Sequence, residues 1–265
     1  MSVLVDAAAI PRGARLLDVR WELGDPHGRR DYLAGHIPGA VFVDLPGELA
    51  GSGEGRHPLP ALEDLQAAAR RWGVRDGETV VVYDGGSGAA AARAWWTLRW
   101  GGIDDVRILD GGLRAWRGKL ETGDVAPPPG DVVLTGGGMP VLDADAAAAL
   151  AERGVLLDAR APERFRGERE PIDPVAGHIP GARNAPASDN LDQHGRYLPP
   201  AVLRERFAAL GAGAEAPVGA YCGSGVSAAQ DIVALMLAGF DDVALYPGSW
   251  SAWCTDPSRP IATGG

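Results

Sequence analysis

Residues 220–230 read A-Y-C-G-S-G-V-S-A-A-Q. Cys222 is one of only two cysteines in 265 residues, and Ser224 and Ser227 follow it closely. The thiolate is the nucleophilic form of cysteine. A helix N-terminus and converging backbone N–H groups both stabilise such an anion. Gly223 and Gly225 let the chain curl so that successive amides, those of Val226 and Ser227 included, face inward, while the two serines add hydroxyl donors. The expected result is a neutral cup of donors around one sulfur, suited to covalent catalysis. A buried, inert cysteine at a strand end is the bland alternative. The complete G-S-G-V-S run ahead of a helical pattern favours the reactive reading.

Such a sulfur needs a strand before it and a helix after it. V-G-A-Y at 218–221 is an apolar run of strand length, and A-A-Q-D-I-V-A-L-M-L-A-G-F at 228–240 has helical patterning. The same alternation runs through the chain. L-L-D-V and V-V-V-Y read as buried strands, and A-L-E-D-L-Q-A-A-A-R-R-W and A-A-A-A-R-A-W-W-T-L-R-W as helices. This predicts an α/β fold, a mostly parallel sheet with helices on both faces. Ligands bind such sheets at the carboxyl ends of the strands, where Tyr221-Cys222 falls. Phosphatases also use strand–Cys–loop–helix, with an arginine six residues after the cysteine to clamp phosphate. Ala228 stands there in this chain, which disfavours phosphate chemistry.

The elements occur twice. L-L-D-V-R at 16–20 returns as L-L-D-A-R at 156–160, and G-H-I-P-G-A at 35–40 returns at 177–182, an offset of 178 − 36 = 142. V-V-V-Y-D-G-G-S-G at 80–88 answers V-G-A-Y-C-G-S-G-V, and G-G-L-R-A-W at 111–116 answers G-S-W-S-A-W at 248–253. This is a duplicated domain. The Pro- and Gly-rich stretch around D-V-A-P-P-P-G-D and T-G-G-G-M-P resists regular structure. The division is therefore 1–121, a linker at 122–140, and 141–265. Asp84 replaces Cys222 in the first copy, which cannot perform the same nucleophilic step.

The bulk numbers exclude other classes. A net charge of −10 disfavours a nucleic-acid or anionic-membrane partner. No run approaches the roughly 20 apolar residues of a membrane span, and the N-terminus lacks a signal-peptide pattern. Two cysteines make neither a disulfide framework nor a zinc site, so no metal is expected and a reducing cytoplasm fits best.

Taken together, Y-L-A-G-H-I-P-G-A-V-F-V, the two G-H-I-P-G-A copies, L-D-G-G-L-R-A-W, Y-P-G-S-W-S-A-W and C-G-S-G-V-S resemble the tandem-domain sulfurtransferases of the rhodanese family over nearly the whole chain. The cysteine loop is most similar to C-G-S-G-V-T of the 3-mercaptopyruvate branch. The resemblance implies two rhodanese-like domains, no cofactor, and ping-pong transfer of a sulfane sulfur. Cys222 takes sulfur from a small donor, 3-mercaptopyruvate or thiosulfate, as a persulfide. A thiol, cyanide or protein acceptor then removes it. Alternatives are a persulfide relay to a protein partner and a non-catalytic pair of rhodanese-like modules, against which the intact loop argues.

The resemblance also implies a supporting cast. His57, in R-H-P-L-P, matches a family histidine and would deliver a proton through Ser224. Arg164, in R-F-R-G, matches the first of two donor-binding arginines. The stretch holding the second is shorter here, leaving Arg169 as the nearest candidate. The family aspartate that completes a Ser–His–Asp relay is replaced by Pro46, leaving Asp44 or Glu48 as substitutes. His36 and His178, present in both copies, read as structural. Asp18/Arg20 and Asp158/Arg160 read as internal ion pairs, and Cys254 as a structural thiol.

Overall fold

The computed structural model describes residues 2–213 and 216–265. They form two compact units. The first comprises Met1–Gly51, Leu59–Met139 and Gln193–Arg196; the second comprises Ser52–Pro58, Pro140–Asp192 and Tyr197–Gly265. Each unit thus takes a short segment from the other half of the sequence.

The first unit runs β1 (Leu4–Val5), β2 (Arg15–Asp18), α1 (Gly28–Ala34), β3 (Val41–Phe42), α2 (Leu45–Glu48), α3 (Leu62–Arg71), β4 (Val80–Tyr83), α4 (Ala89–Trp100) and β5 (Val106–Leu109). Its sheet has the order β1-β5-β4-β2-β3, with every pairing parallel. The second unit runs α5 (Ala144–Arg153), β6 (Val155–Asp158), α6 (Pro162–Phe165), β7 (Arg183–Asn184), α7 (Pro200–Ala209), β8 (Val218–Tyr221), α8 (Ser227–Leu237), β9 (Val243–Leu245) and α9 (Ser249–Trp253). Its order, β7-β6-β8-β9, repeats β3-β2-β4-β5 of the first unit, again all parallel.

Every residue of β4, β6 and β8 is buried, so both faces of each sheet are covered, as continuous apolar runs require. Val80, Val81 and Val82 are completely buried, worth roughly 1.5–3 kcal/mol each. The central strands end in register, Asp18 beside Tyr83 and Asp158 beside Tyr221, so the loops after β4 and β8 leave the sheets at equivalent points.

The duplicated motifs serve as brackets. His36 Nδ1 bonds the Tyr32 carbonyl at 2.9 Å and its ring stacks on Tyr32; His178 does the same with Phe165 at 2.7 Å. Tyr83 and Tyr221 accept the N–H groups of Ile37 and Ile179 through their hydroxyls. Asp18–Arg20 and Asp158–Arg160 are ion pairs at 2.6 Å, each arginine also bonding a glycine carbonyl of the H-I-P-G turn, Gly35 or Gly177.

Residues 122–139 carry no helix or strand, yet they are strapped along the first unit. Gly123 donates to Leu33 and Gly130 to Arg70, and Val132, Leu134 and Met139 are buried. No helix among the described residues is long and apolar enough to cross a membrane.

Candidate active site

β8 delivers Cys222 to the top of the second sheet, where it is 3% exposed. Gly225 takes φ +77, a left-handed turn that a side chain would strain, and its N–H reaches Cys222 Sγ at 3.1 Å. The loop is held from behind by the start of α9. Trp250 N–H donates to the Cys222 carbonyl and Ser251 N–H to that of Gly223, both at 2.9 Å. Cys222 N–H donates to Ser249 Oγ at 3.1 Å, and that hydroxyl donates to the Tyr246 carbonyl. These bonds hold Ser249 at φ +54, the one positive φ among the described non-glycine residues. The Cys222 and Gly223 carbonyls are thus taken up by α9, and the Gly225 amide is a loop N–H that reaches the sulfur. Val226 is buried, and Ser227 opens α8.

His57 and Ser224 meet. His57 Nδ1 lies 2.9 Å from Ser224 Oγ, with both residues buried. The histidine arrives on Ser52–Pro58, the first-half segment that belongs to the second unit. Arg56 N–H pins this segment by donating to Ser251 Oγ at 3.0 Å, on the same α9 that braces the cysteine loop. Glu48 accepts from Arg71, Trp72 and the Asp44 N–H, while burial, reinforced by the charge of Glu48, pushes the Asp44 carboxyl up from its ordinary value.

Two guanidinium groups crowd the residue after the nucleophile. A Cβ on Gly223 would lie 2.6 Å from Arg56 Nη2 and 3.5 Å from Arg164 Nη2. Glycine at 223 therefore leaves the space that Arg56 occupies beside the backbone, while Arg164 stands at ordinary contact distance. Arg164 donates to Glu170 Oε1 and Oε2 at 2.7 and 3.0 Å and to Asp173 Oδ2 at 3.0 Å. Arg56 donates to Asp173 Oδ1. Arg169, expected as the second cation, is exposed, and its backbone N–H donates to the Glu163 carbonyl. Arg56, rather than Arg169, is the second guanidinium beside Gly223. Sequence reasoning passed over Arg56, although its neighbour His57 was already singled out.

The equivalent loop of the first unit shows what its turn accommodates. Asp84 Oδ1 accepts the N–H groups of Gly86 at 2.7 Å and Gly88 at 3.2 Å, and Oδ2 accepts that of Ala91 at 3.2 Å. A carboxylate thus fills the cup of amides in the copy that lacks the thiol. Cys254, the second thiol, packs in the apolar cluster with Trp250 and Trp253, and burial pushes it up from its ordinary value.

The rhodanese-like domain model matches residues 5–119 and 143–256. Over 261 residues the chain is 51% identical to a Mycobacterium tuberculosis protein provisionally named thiosulfate sulfurtransferase SseB, covering 94% of this chain and 90% of that one. Over 265 residues it is 51% identical to a Pseudomonas aeruginosa protein provisionally named 3-mercaptopyruvate sulfurtransferase, covering 94% and 92%. The crystal structure of SseA from Escherichia coli, a 3-mercaptopyruvate sulfurtransferase, superposes with a TM-score of 0.85 at 32% identity, covering 95% of this chain and 100% of that one.

Proposed function

The chain belongs to the rhodanese family, with its domain present twice, and on that premise we propose that it is a sulfurtransferase whose preferred donor is 3-mercaptopyruvate. The Cys222 thiolate attacks the donor's sulfur, an S–S bond forms and the C–S bond breaks. The electron pair of that bond stays on the three-carbon fragment, which leaves as the enolate of pyruvate. Protonation of the enolate releases pyruvate, and Cys222 holds the sulfur as a persulfide. An acceptor thiolate, cyanide or a thiol on a protein partner then attacks the outer sulfur and restores the Cys222 thiolate. Arg56 and Arg164 hold the donor's carboxylate against Gly223. The amide of Gly225 stabilises negative charge on the sulfur.

The observation that carries the donor preference is the His57–Ser224 contact at 2.9 Å. A carbon leaving group needs a proton; sulfite, which leaves from thiosulfate, does not. A positioned His–Ser pair beside the nucleophile is a device for delivering one. Thiosulfate is the second reading, favoured by the 51% identity to SseB. We place the protein in the cytoplasm, where reducing conditions keep a lone thiol nucleophile free.

Intact mass after incubation with donor tests the persulfide: the wild type gains one sulfur and Cys222→Ser gains none. Steady-state rates with both donors test the preference. A higher kcat/KM for thiosulfate than for 3-mercaptopyruvate reverses it.

A further inference from the structure

We propose that Asp173 is an internal competitor for the donor's anionic group, holding Arg56 and Arg164 in its absence and yielding them when it binds; this rests on the reading that Cys222 takes sulfur from an anionic donor. The carboxylate of Asp173 bridges the two guanidinium groups that crowd Gly223, with Oδ1 on Arg56 and Oδ2 on Arg164. That is the hold a donor carboxylate would take. The geometry gives one carboxylate a place between the two cations, and the protein supplies that carboxylate itself.

The charge balance favours competition. Arg56, Arg160 and Arg164 face Asp158, Glu170 and Asp173. Three cations meet three carboxylates, so no net positive charge waits for an arriving anion. An anion that takes the two-armed hold between Arg56 and Arg164 must displace Asp173 from it.

The three carboxylates are not equally dispensable. Asp158 is tied to Arg160 through Nε and Nη2 and lies fully buried. Glu170 accepts from Arg164 Nε and Nη2, from Arg160, and from the backbone N–H groups of Ile172 and Asp173. Burial alone would raise the Glu170 carboxyl, but the Arg164 and backbone hydrogen bonds outweigh it and hold the group below its ordinary value. Among the described residues, the Asp173 carboxylate accepts from its two arginines only. Burial, aided by the charge of Glu170, pushes its carboxyl above the ordinary value despite Arg56 and Arg164. Glu170 fixes Arg164 in place, and Asp173 is the carboxylate that can be exchanged.

The arrangement sets affinity and selectivity together. An anion that engages both guanidinium groups at once replaces Asp173 contact for contact. A neutral donor, or an anion that reaches only one arginine, has no such compensation. Asp173 therefore raises the threshold for occupying the site and discriminates in favour of ligands with a carboxylate-like fork.

Asp173→Asn keeps the shape and removes the charge. Against wild type, KM for 3-mercaptopyruvate should fall roughly tenfold, the scale of releasing one charge-assisted contact. Isothermal titration with pyruvate, an unreactive carboxylate, should show the same gain. Transfer from dimethyl trisulfide, a neutral donor, should not gain. An unchanged or raised KM and pyruvate Kd would overturn the proposal and make Asp173 a residue that only positions the arginines. An equal gain with the neutral donor would overturn it as well, since charge would not be the cause. Mass analysis of wild type and variant keeps the two hypotheses apart: a protein that never acquires sulfur refutes the sulfurtransferase reading, whereas one that loads sulfur with an unchanged KM refutes only the role of Asp173.

Discussion

Gly223→Ala isolates the cation pair without touching a charged residue. A Cβ there would stand 2.6 Å from Arg56 Nη2, whereas ordinary contact begins at 3.4 Å, so the guanidinium must retreat by 3.4 − 2.6 = 0.8 Å. Arg164 Nη2, at 3.5 Å, need not move. The backbone at 223 is outside the left-handed region, and the obstructing atom ends a flexible side chain, so the fold absorbs the methyl at little cost. The donor-binding geometry does not, because a displacement near 1 Å in a substrate-positioning group can cost up to about a hundredfold in kcat/KM. We expect kcat/KM for 3-mercaptopyruvate to fall about 10- to 100-fold, mostly through KM, with the melting temperature within about 2 °C of wild type. The assay is a double-mutant cycle with Arg56→Ala. If the methyl acts by displacing Arg56, it has almost no further effect once Arg56 is removed. Additive losses in the double variant, or an unchanged KM in the single one, would refute the reasoning.

Three more outcomes can be checked. His57→Ala should slow turnover of 3-mercaptopyruvate by about 10²–10⁴, the usual worth of a general acid, and thiosulfate turnover far less; equal losses would remove His57 from proton delivery. Arg169→Ala should leave KM for both donors within about twofold, and a large rise would return that residue to the site. Asp231, completely buried with Oδ1 held by Asn190 at 2.6 Å, is pushed up to about 7, chiefly by burial. The folded state therefore keeps a proton that the unfolded chain gives up near pH 3.8, so the stability from this group is present below that pH and is lost as pH rises through about 7. Asp231→Asn should flatten that loss, worth about 1.4 kcal/mol per pH unit within the window, as read by urea denaturation from pH 4 to pH 8; parallel pH profiles would count against it.

The backbone of the site was legible because it is written in repeats and apolar runs. V-G-A-Y and V-V-V-Y announce buried strands, and the paired G-H-I-P-G-A turns and Asp–Arg steps mark the same bracket in each sheet. Cys222, Ser224 and Gly225 could be read because a strand, a glycine turn and a helix fix them within a few residues. His57 reached its place only through the family resemblance, since 224 − 57 = 167 residues separate it from Ser224. Arg56 was hidden for the same reason, with no periodic signal to say which long side chain a loop lays over a distant glycine. Arg169 was chosen by its closeness in sequence to where the family arginine falls, in a stretch too short to preserve the alignment, and closeness in sequence says nothing of where a side chain ends. Asp173 left no mark, since a carboxylate between two arginines depends on where three side chains end rather than on spacing.

The passage of Ser52–Pro58 into the second unit has a consequence for how such a chain can change over time. The proposed proton donor, His57, and one proposed donor-binding cation, Arg56, are encoded in the half of the sequence that has Asp84 in place of a cysteine. Residues 140–265 expressed alone would carry the thiol, Ser224 and Arg164, but neither His57 nor Arg56. The silent copy cannot be shed as a spent duplicate. On the proposed mechanism, changes at 56 and 57 answer to chemistry at 222, which would bind the two halves into a single heritable unit at one seven-residue loop.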